Sequence, residues 1–360
     1  MSAGKITFAR RPDHGFAERL RARVETILAE PGRLRRGRRL LLLKGAVYGG
    51  LAGLAYAGLL ASGGAMLPAA AAAVAFGLSI LLLAINIGHD GAHGTLTRRR
   101  WPNHLIQFLT FAPLGVDAYL WRWRHNASHH VFPNVNGSDI DIDANPFLRL
   151  SPNQPWKRRF RFQHLHVPLV YAAVALHSIW IQDYSYLVKR ELANARNIRH
   201  PWPRFMEFAL GKLIHVTVWF VVPMAVLPIG FGGALALYLL GLGVMSIVFV
   251  FLLVGTHFST SAEFPVPDGD GRLPHDFAGH AVATSVDWAP DSRFAGFIAG
   301  GANTHAAHHL FPRVAHVHYR AINGEIERLA RDCGVDYHRT TFAGMVADHF
   351  RFLRRMGVRP

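Results

Sequence analysis

Cysteine is nearly absent. Cys333 is the only one in 360 residues, so no internal disulfide can form, and the chain suits a reducing compartment. Acidic residues are also sparse: 23 Asp and Glu stand against 39 Lys and Arg, for a formal net charge of +16. Nucleic acid is one partner for such a surplus, but zinc-finger spacing and a basic–aromatic platform are both missing. The charge sits instead in runs beside apolar segments: Arg33 to Arg39, Arg98 to Arg100, Lys157 to Arg159, and Arg354-Arg355. That placement fits the cytoplasmic face of a membrane, with anionic lipid as partner. Residues 1–39 hold no apolar core of the signal-peptide kind, so no cleaved signal is expected and the first membrane helix is expected to act as an uncleaved anchor. Heptads, repeats and low-complexity tracts are missing too, apart from an alanine run at 69–73.

What the chain does have is long apolar runs. It is 51% hydrophobic with a mean hydropathy of +0.16, enough for a membrane part plus a sizeable polar part. About 20 apolar residues cross a bilayer core, which predicts membrane helices over about 40–62, 66–88, 207–229 and 232–254. The turns at Gly63-Gly64 and Pro228 to Gly233 are uncharged, whereas the outer flanks of the first pair are rich in arginine. The spacing predicts two hairpins whose open ends face the cytoplasm. Residues 103–121, with Pro113 and Gly115, read as one short or re-entrant helix. Residues 164–187 read as an amphipathic helix in the membrane interface, because His166, His177, Gln182 and Asp183 break the apolar pattern. As a third span, that segment would put the later motifs on the wrong side. Residues 16–29 predict an amphipathic helix, open to two uses: a solvated arm or contact with the membrane surface. A second amphipathic region runs from 319 to 356. The expected fold class is an all-α membrane protein, four transmembrane helices in two hairpins under a cytoplasmic helical cap.

Histidine carries the chemistry. It clusters as His89/His93, His125/His129/His130 and His305/His308/His309, with His257 just after the fourth helix. Positions three or four apart share a helix face, so His89 points with His93 and His125 with His129. Adjacent histidines are offset by about 100°, so each doublet, His129/His130 and His308/His309, can reach two ions. Two, three and three imidazoles plus His257 make nine, too many for one ion and reasonable for two. Neutral imidazole suits iron, copper, zinc or nickel. No cysteine lies near the clusters, which argues against an iron–sulfur or structural zinc site, and the Glu plus Glu-x-x-His pattern of carboxylate-bridged di-iron bundles is absent. A histidine-rich site for two metals, iron foremost, remains. Ring nitrogens that do not ligate need acceptors: Asp90, Asp139, Asp141, Asp143, Asp287 and Asn303 are the candidates. For Asp141 and Asp143 a plain solvated turn is the competing reading. The isolated His104, His164, His166, His177, His215, His275, His280 and His338 are expected to be ordinary polar groups.

These motifs resemble the membrane fatty-acid desaturases. Gly88-His-Asp-Gly-Ala-His93 is similar to their first box. His125-Asn-Ala-Ser-His129-His130, followed by Asn134 and Gly137-Ser-Asp139-Ile-Asp141, is similar to the second. His308-His309-Leu-Phe-Pro-Arg-Val-Ala-His316 is similar to the third and its tail. The likeness runs from the first helix to about residue 325, and it looks most like bacterial and front-end acyl-lipid or linoleoyl-CoA desaturases. The resemblance implies a desaturase domain over 40–325, with 1–39 a basic cytoplasmic arm and 326–360 an amphipathic C-terminal region. It implies two irons held by His89, His93, His125, His129, His130, His257, His305, His308 and His309, with O2 as oxidant. The substrate would be an acyl lipid, acyl-CoA or acyl-ACP, with termini and active site on the cytoplasmic side of a bacterial cell membrane. Two departures stand out. Many front-end enzymes open the third box with Gln where this chain has His305, which weakens inference about double-bond position. The fused haem domain with its His-Pro-Gly-Gly motif is absent, so the electron donor is expected to be a separate ferredoxin or cytochrome b5. The rival readings are hydroxylation at the same site and, more distantly, metal transport; transport would want ionisable groups at mid-bilayer, where the second and fourth helices lack them.

Overall fold

A computed structural model describes residues 6–9, 15–143, 145–192 and 196–360; the rest of the N-terminal arm lies outside them. The chain is mostly helical and divides into two compact units. One comprises Met1–Arg38, Asn126–Val167 and Leu252–Pro360, and the other Arg39–His125 and Pro168–Phe251. The arm and the C-terminal region are both built into the first unit.

The second unit holds most of the apolar length. Among the described residues, five helices are long and apolar enough to cross a membrane: Arg33–Leu60, Met66–Ala92, Gln163–Val188, Trp202–Val226 and Phe231–Thr256. Small residues let two of them touch backbone to backbone. A Cβ on Gly77 would meet the Gly241 carbonyl at 2.8 Å, and one on Gly241 would meet the Ala73 carbonyl and the Trp219 ring at 2.9 Å. Lipid offers no hydrophobic drive between helices, so such close van der Waals packing is what holds them. The turn after the first helix needs glycine, with φ of 61° at Gly63 and 88° at Gly64. It abuts the link after Val226: a Cβ on Gly64 would lie 2.7 Å from Pro228 Cγ.

The expected single helix at 103–121 is two helices, Arg100–Phe111 and Ala118–Arg124. Gly115, at φ 84°, breaks between them, and polar groups from three segments pin the break. Lys212 Nζ donates to the Gly115 carbonyl (2.7 Å), the Ile179 carbonyl (2.6 Å) and Asp183 Oδ2 (2.8 Å). Asp183 also accepts from the Asp117 backbone N–H at 2.8 Å. His215 sits between the Pro113 carbonyl (2.9 Å) and the Tyr238 hydroxyl (3.0 Å). Asp183, which helped suggest an interfacial helix, thus turns inward and is paired, while Leu169, Ile181 and Val188 on that helix are exposed.

In the first unit, helix Phe16–Ala29 buries Phe16, Leu20, Val24 and Ile27, one face at helical spacing. They enter a core with Tyr319, Ile322, Ile326 and Leu329 of helix Tyr319–Cys333. The apolar face of residues 16–29 is thus spent inside the protein rather than on a membrane surface. The all-α expectation also misses a parallel pair of short strands, Val286–Trp288 with His338–Thr340. Three-residue strands show no readable alternation, and partners some 50 residues apart are joined only by the tertiary fold. The second strand splits the predicted 319–356 region into Tyr319–Cys333 and Phe342–Gly357.

Candidate metal centre

Each histidine cluster sits where a helix changes character. Helix Met66–Leu83 passes through a π-helical turn, Ala84–Gly88, immediately before His89. His125–His129 is itself a π turn, a form that recurs at functional sites. Its wider i→i+5 pitch undoes the expectation that His125 and His129 share a face: His125 joins His89 and His93, while His129 joins the other group. The third cluster lies on the short helix His305–Leu310. Asp287 sets the start of that helix, accepting from the Ala306 N–H (3.0 Å) and the Tyr337 hydroxyl (2.8 Å).

In the first unit, one nitrogen from each of His129, His257, His305 and His309 lies within 4.8 Å of the others, and all four rings are buried. Three Nε2 atoms converge: His257 to His305 at 2.7 Å, His257 to His309 at 3.0 Å, His309 to His305 at 3.2 Å. Three neutral imidazoles in a triangle cannot make all three contacts hydrogen bonds, because each Nε2 offers one proton or one lone pair. The tautomers sharpen the conflict. His257 Nδ1 donates to the Thr284 carbonyl at 2.7 Å, and His129 Nδ1 donates to Asp139 at 3.2 Å. Both Nε2 atoms therefore carry bare lone pairs toward the group. Protonation gives no relief: burial lowers His257 to about 3 and drives His309 well below the usual histidine range, with neighbouring histidines adding to both. Converging neutral nitrogen donors, two of them held in the tautomer that turns Nε2 lone pairs inward, are the chemistry of a cation site, so the residues fit a metal. His130 and His308 form a further pair, Nε2 to Nε2 at 2.9 Å.

In the second unit, His89, His93 and His125 place one nitrogen each within 4.8 Å of one another. His89 and His125 meet at 3.1 Å, and Trp121 stacks on His125 at 4.2 Å. Burial lowers His93 to about 4 against the opposing pull of Asp90. Glycine lets the cluster pack: a Cβ on Gly88 would strike Thr110 Oγ1 at 2.3 Å.

The acceptors divide. Asp139, fully buried, takes His129 Nδ1 together with the Asn134 and Asp141 backbone N–H groups, each at 3.0 Å. Asp141 stands 3.6 Å from His129 Nδ1. Asp143 closes the turn instead, accepting from Gly137 N–H at 2.7 Å. Asp90 is buried opposite Lys44, with which it interacts electrostatically. Among the described residues, Asp287 serves a backbone N–H and the Tyr337 hydroxyl rather than a ring nitrogen, and Asn303 Nδ2 reaches the Ala289 carbonyl at 3.5 Å. Two roles were not read from the sequence. The Thr284 carbonyl orients His257, and a backbone acceptor leaves no trace in residue type. Asn134, at φ 60°, ties the second box to the His257 segment through the Glu263 (2.8 Å) and His257 (3.3 Å) carbonyls. Its signal was available, as an asparagine five residues before Asp139 in a turn-rich loop. Of the histidines set aside, His280 bonds the Pro133 carbonyl at 3.0 Å and His275 pairs with Glu263 at 2.8 Å.

The architecture is that of a mostly helical membrane protein with two histidine groups whose donors could hold metal ions. The profile of one family, described as fatty acid desaturase, matches residues 65–341. An sn-1 linoleoyl-lipid 6-desaturase of Arthrospira platensis is 30% identical over 294 residues, 80% of this chain and 77% of that protein. A protein of the same description from Synechocystis is 28% identical over 286 residues, 78% of each chain. An acyl-lipid (8-3)-desaturase of Physcomitrium patens is 31% identical over 278 residues, covering 76% of this chain but only 57% of that longer protein. The chain belongs to the fatty acid desaturase family and is an oxidoreductase of that kind.

Proposed function

We propose that the protein introduces a double bond into the acyl chain of a membrane lipid, using O2, two irons and electrons from a separate donor. The relatives named for acyl-lipid substrates favour a glycerolipid over acyl-CoA or acyl-ACP. The observation that carries the proposal is the four-ring group of His129, His257, His305 and His309, whose converging ring nitrogens suit one ion. His89, His93 and His125 suit a second, and His130 with His308 completes the nine ligands. Bound iron would supply the oxidising chemistry: two hydrogens leave adjacent methylenes, and O2 with two donor electrons and two protons yields two waters. The protein's own residues hold the imidazoles neutral, fix their tautomers through Asp139 and Thr284, and keep the four-ring group out of water.

The same group supports four membrane crossings in two hairpins. His129 precedes three long helices and His257, His305 and His309 follow them. A common group needs all four on one side, hence an even number of crossings between residues 130 and 257. Trp202–Val226 and Phe231–Thr256 are the more apolar of the three, at mean hydropathies of 1.7 and 2.7 against 1.3 for Gln163–Val188. They cross, and Gln163–Val188 does not. The apposed turns at Gly64 and Pro228 agree. The arginine-rich flanks make the histidine side, with both termini, cytoplasmic, in a bacterial cell membrane.

The test is expression of the full chain with ferredoxin or cytochrome b5 partners, followed by gas chromatography of total fatty acids and metal analysis of the purified protein. A new unsaturated species and two irons per chain are expected. Hydroxylated products, or a full-length protein that takes up no iron, would overturn the proposal.

A further inference from the structure

The first unit carries an open groove of about 570 Å³ whose lining, Trp156, Arg161, Phe162, Leu165, Arg354 and Arg359 among others, includes none of the clustered histidines. Its walls are firmly built. Trp156 Nε1 donates to the Gly357 carbonyl at 2.9 Å, and Gln163, fully buried, donates to the Leu353 carbonyl at 3.0 Å. Gly357 is packed so closely that a Cβ would lie 2.8 Å from the Arg161 carbonyl. The end of helix Phe342–Gly357 is thereby fastened to the 156–163 segment, and three arginines from distant parts of the chain border one groove. Arg161 lies over the Phe162 ring at 5.0 Å. Among the described residues, no ion pair involves Arg161, Arg354 or Arg359.

The apolar part of the lining faces outward. Phe162 is 55% exposed, Leu165 69% and Val358 65%. Phe162 and Leu165 bracket the first turn of Gln163–Val188, a helix apolar enough for a bilayer. Uncompensated guanidiniums beside exposed aromatic and aliphatic side chains, at the start of such a helix, match a ligand with an anionic head and a hydrocarbon tail. Arginine suits phosphate because its planar fork can donate two hydrogen bonds at once. We propose that this groove is a binding site for an anionic glycerophospholipid of the surrounding bilayer, with its phosphate on Arg161, Arg354 and Arg359 and its acyl chains along Phe162 and Leu165. The site shares no residue with the nine histidines, so it stands or falls separately from the catalytic reading.

The experiment uses the full-length protein in non-ionic detergent micelles, titrated with dioleoyl phosphatidylglycerol or dioleoyl phosphatidylcholine while thermal unfolding is followed. Phosphatidylglycerol should raise Tm saturably and phosphatidylcholine should not. Apparent affinity should fall about fivefold for each arginine removed, hence about a hundredfold in R161S/R354S/R359S. A control of equal charge change at exposed positions, R293S/R313S/R320S, should keep wild-type affinity. R359S alone alters a residue beyond the last helix and serves if the triple variant misfolds. The proposal is overturned if the groove variants bind like wild type, if the control loses affinity equally, or if inorganic phosphate alone reproduces the shift. It is also overturned if lipid has no effect while the groove variants lose binding to an acidic electron-donor protein.

Discussion

Asp139→Asn probes the link between the second-box loop and the metal group. Asp139 is fully buried and accepts three N–H groups: His129 Nδ1 at 3.2 and 3.3 Å to its two oxygens, Asn134 on Oδ2 and Asp141 on Oδ1. Asparagine keeps the shape but has one acceptor oxygen and a donor amide. If the oxygen stays with Asn134 and His129, the amide faces the Asp141 N–H, donor against donor, at a cost of about 1–3 kcal/mol. If it turns the other way, His129 loses its anchor and the imidazole is free to change tautomer or rotate. Either way a neutral acceptor makes His129 a poorer donor to a cation, and losing such a partner weakens metal binding by about 10- to 100-fold, or about 1.4–2.7 kcal/mol. The assay is iron retention, measured by elemental analysis after dialysis of purified full-length protein against chelators of graded strength. Helicity by circular dichroism checks that the fold survives. D139N should release iron to a weaker chelator than wild type does. A folded D139N with wild-type retention would refute the argument that Asp139 sets the donor state of His129.

Three further outcomes follow from the packing and charge. Gly241→Val should destabilise the second unit by about 1–3 kcal/mol, because its Cβ would start 2.9 Å from the Ala73 carbonyl and the Trp219 ring; urea or thermal unfolding in detergent reads this. Lys212→Met should cost about 3–5 kcal/mol by stranding buried Asp183, and adding Asp183→Leu should recover part of that loss; an additive double variant would count against the pair. His349 is buried, donates Nδ1–H to the Phe258 carbonyl at 2.8 Å, and is lowered by burial to about 4. Mostly neutral in both states at pH 7, it contributes little pH dependence there. As pH falls from about 6.5 toward 4 the unfolded chain binds the proton first, so His349 should add up to about 1.4 kcal/mol per pH unit to the loss of stability. His349→Gln should reduce the slope by that share, as thermal melts between pH 7 and 4.5 will reveal.

Much of the site was legible because its signals are local. A histidine four residues from another at the end of an apolar run is visible without a fold, and so is an adjacent pair. The apolar spans were legible for the same reason: lipid demands about 20 apolar residues in sequence. What stayed hidden was contact between groups that meet only across distance. Asp183 looked like a polar interruption because its partner Lys212 sits on another helix. Residues 16–29 looked like a surface helix because the face that covers them belongs to residues 319–333. The strands at 286–288 and 338–340 are too short to announce themselves.

By itself the sequence determined which side chains could bind metal, which segments could lie in lipid, and the family. Only the tertiary structure decided how the donors divide, since a π turn separates His125 from His129 although four residues usually keep them together. It alone supplied the Thr284 carbonyl that orients His257 and the meeting of Arg161 with Arg354 and Arg359. A backbone acceptor has no residue type to read, and proximity between segments about 190 residues apart comes from packing rather than from any local period.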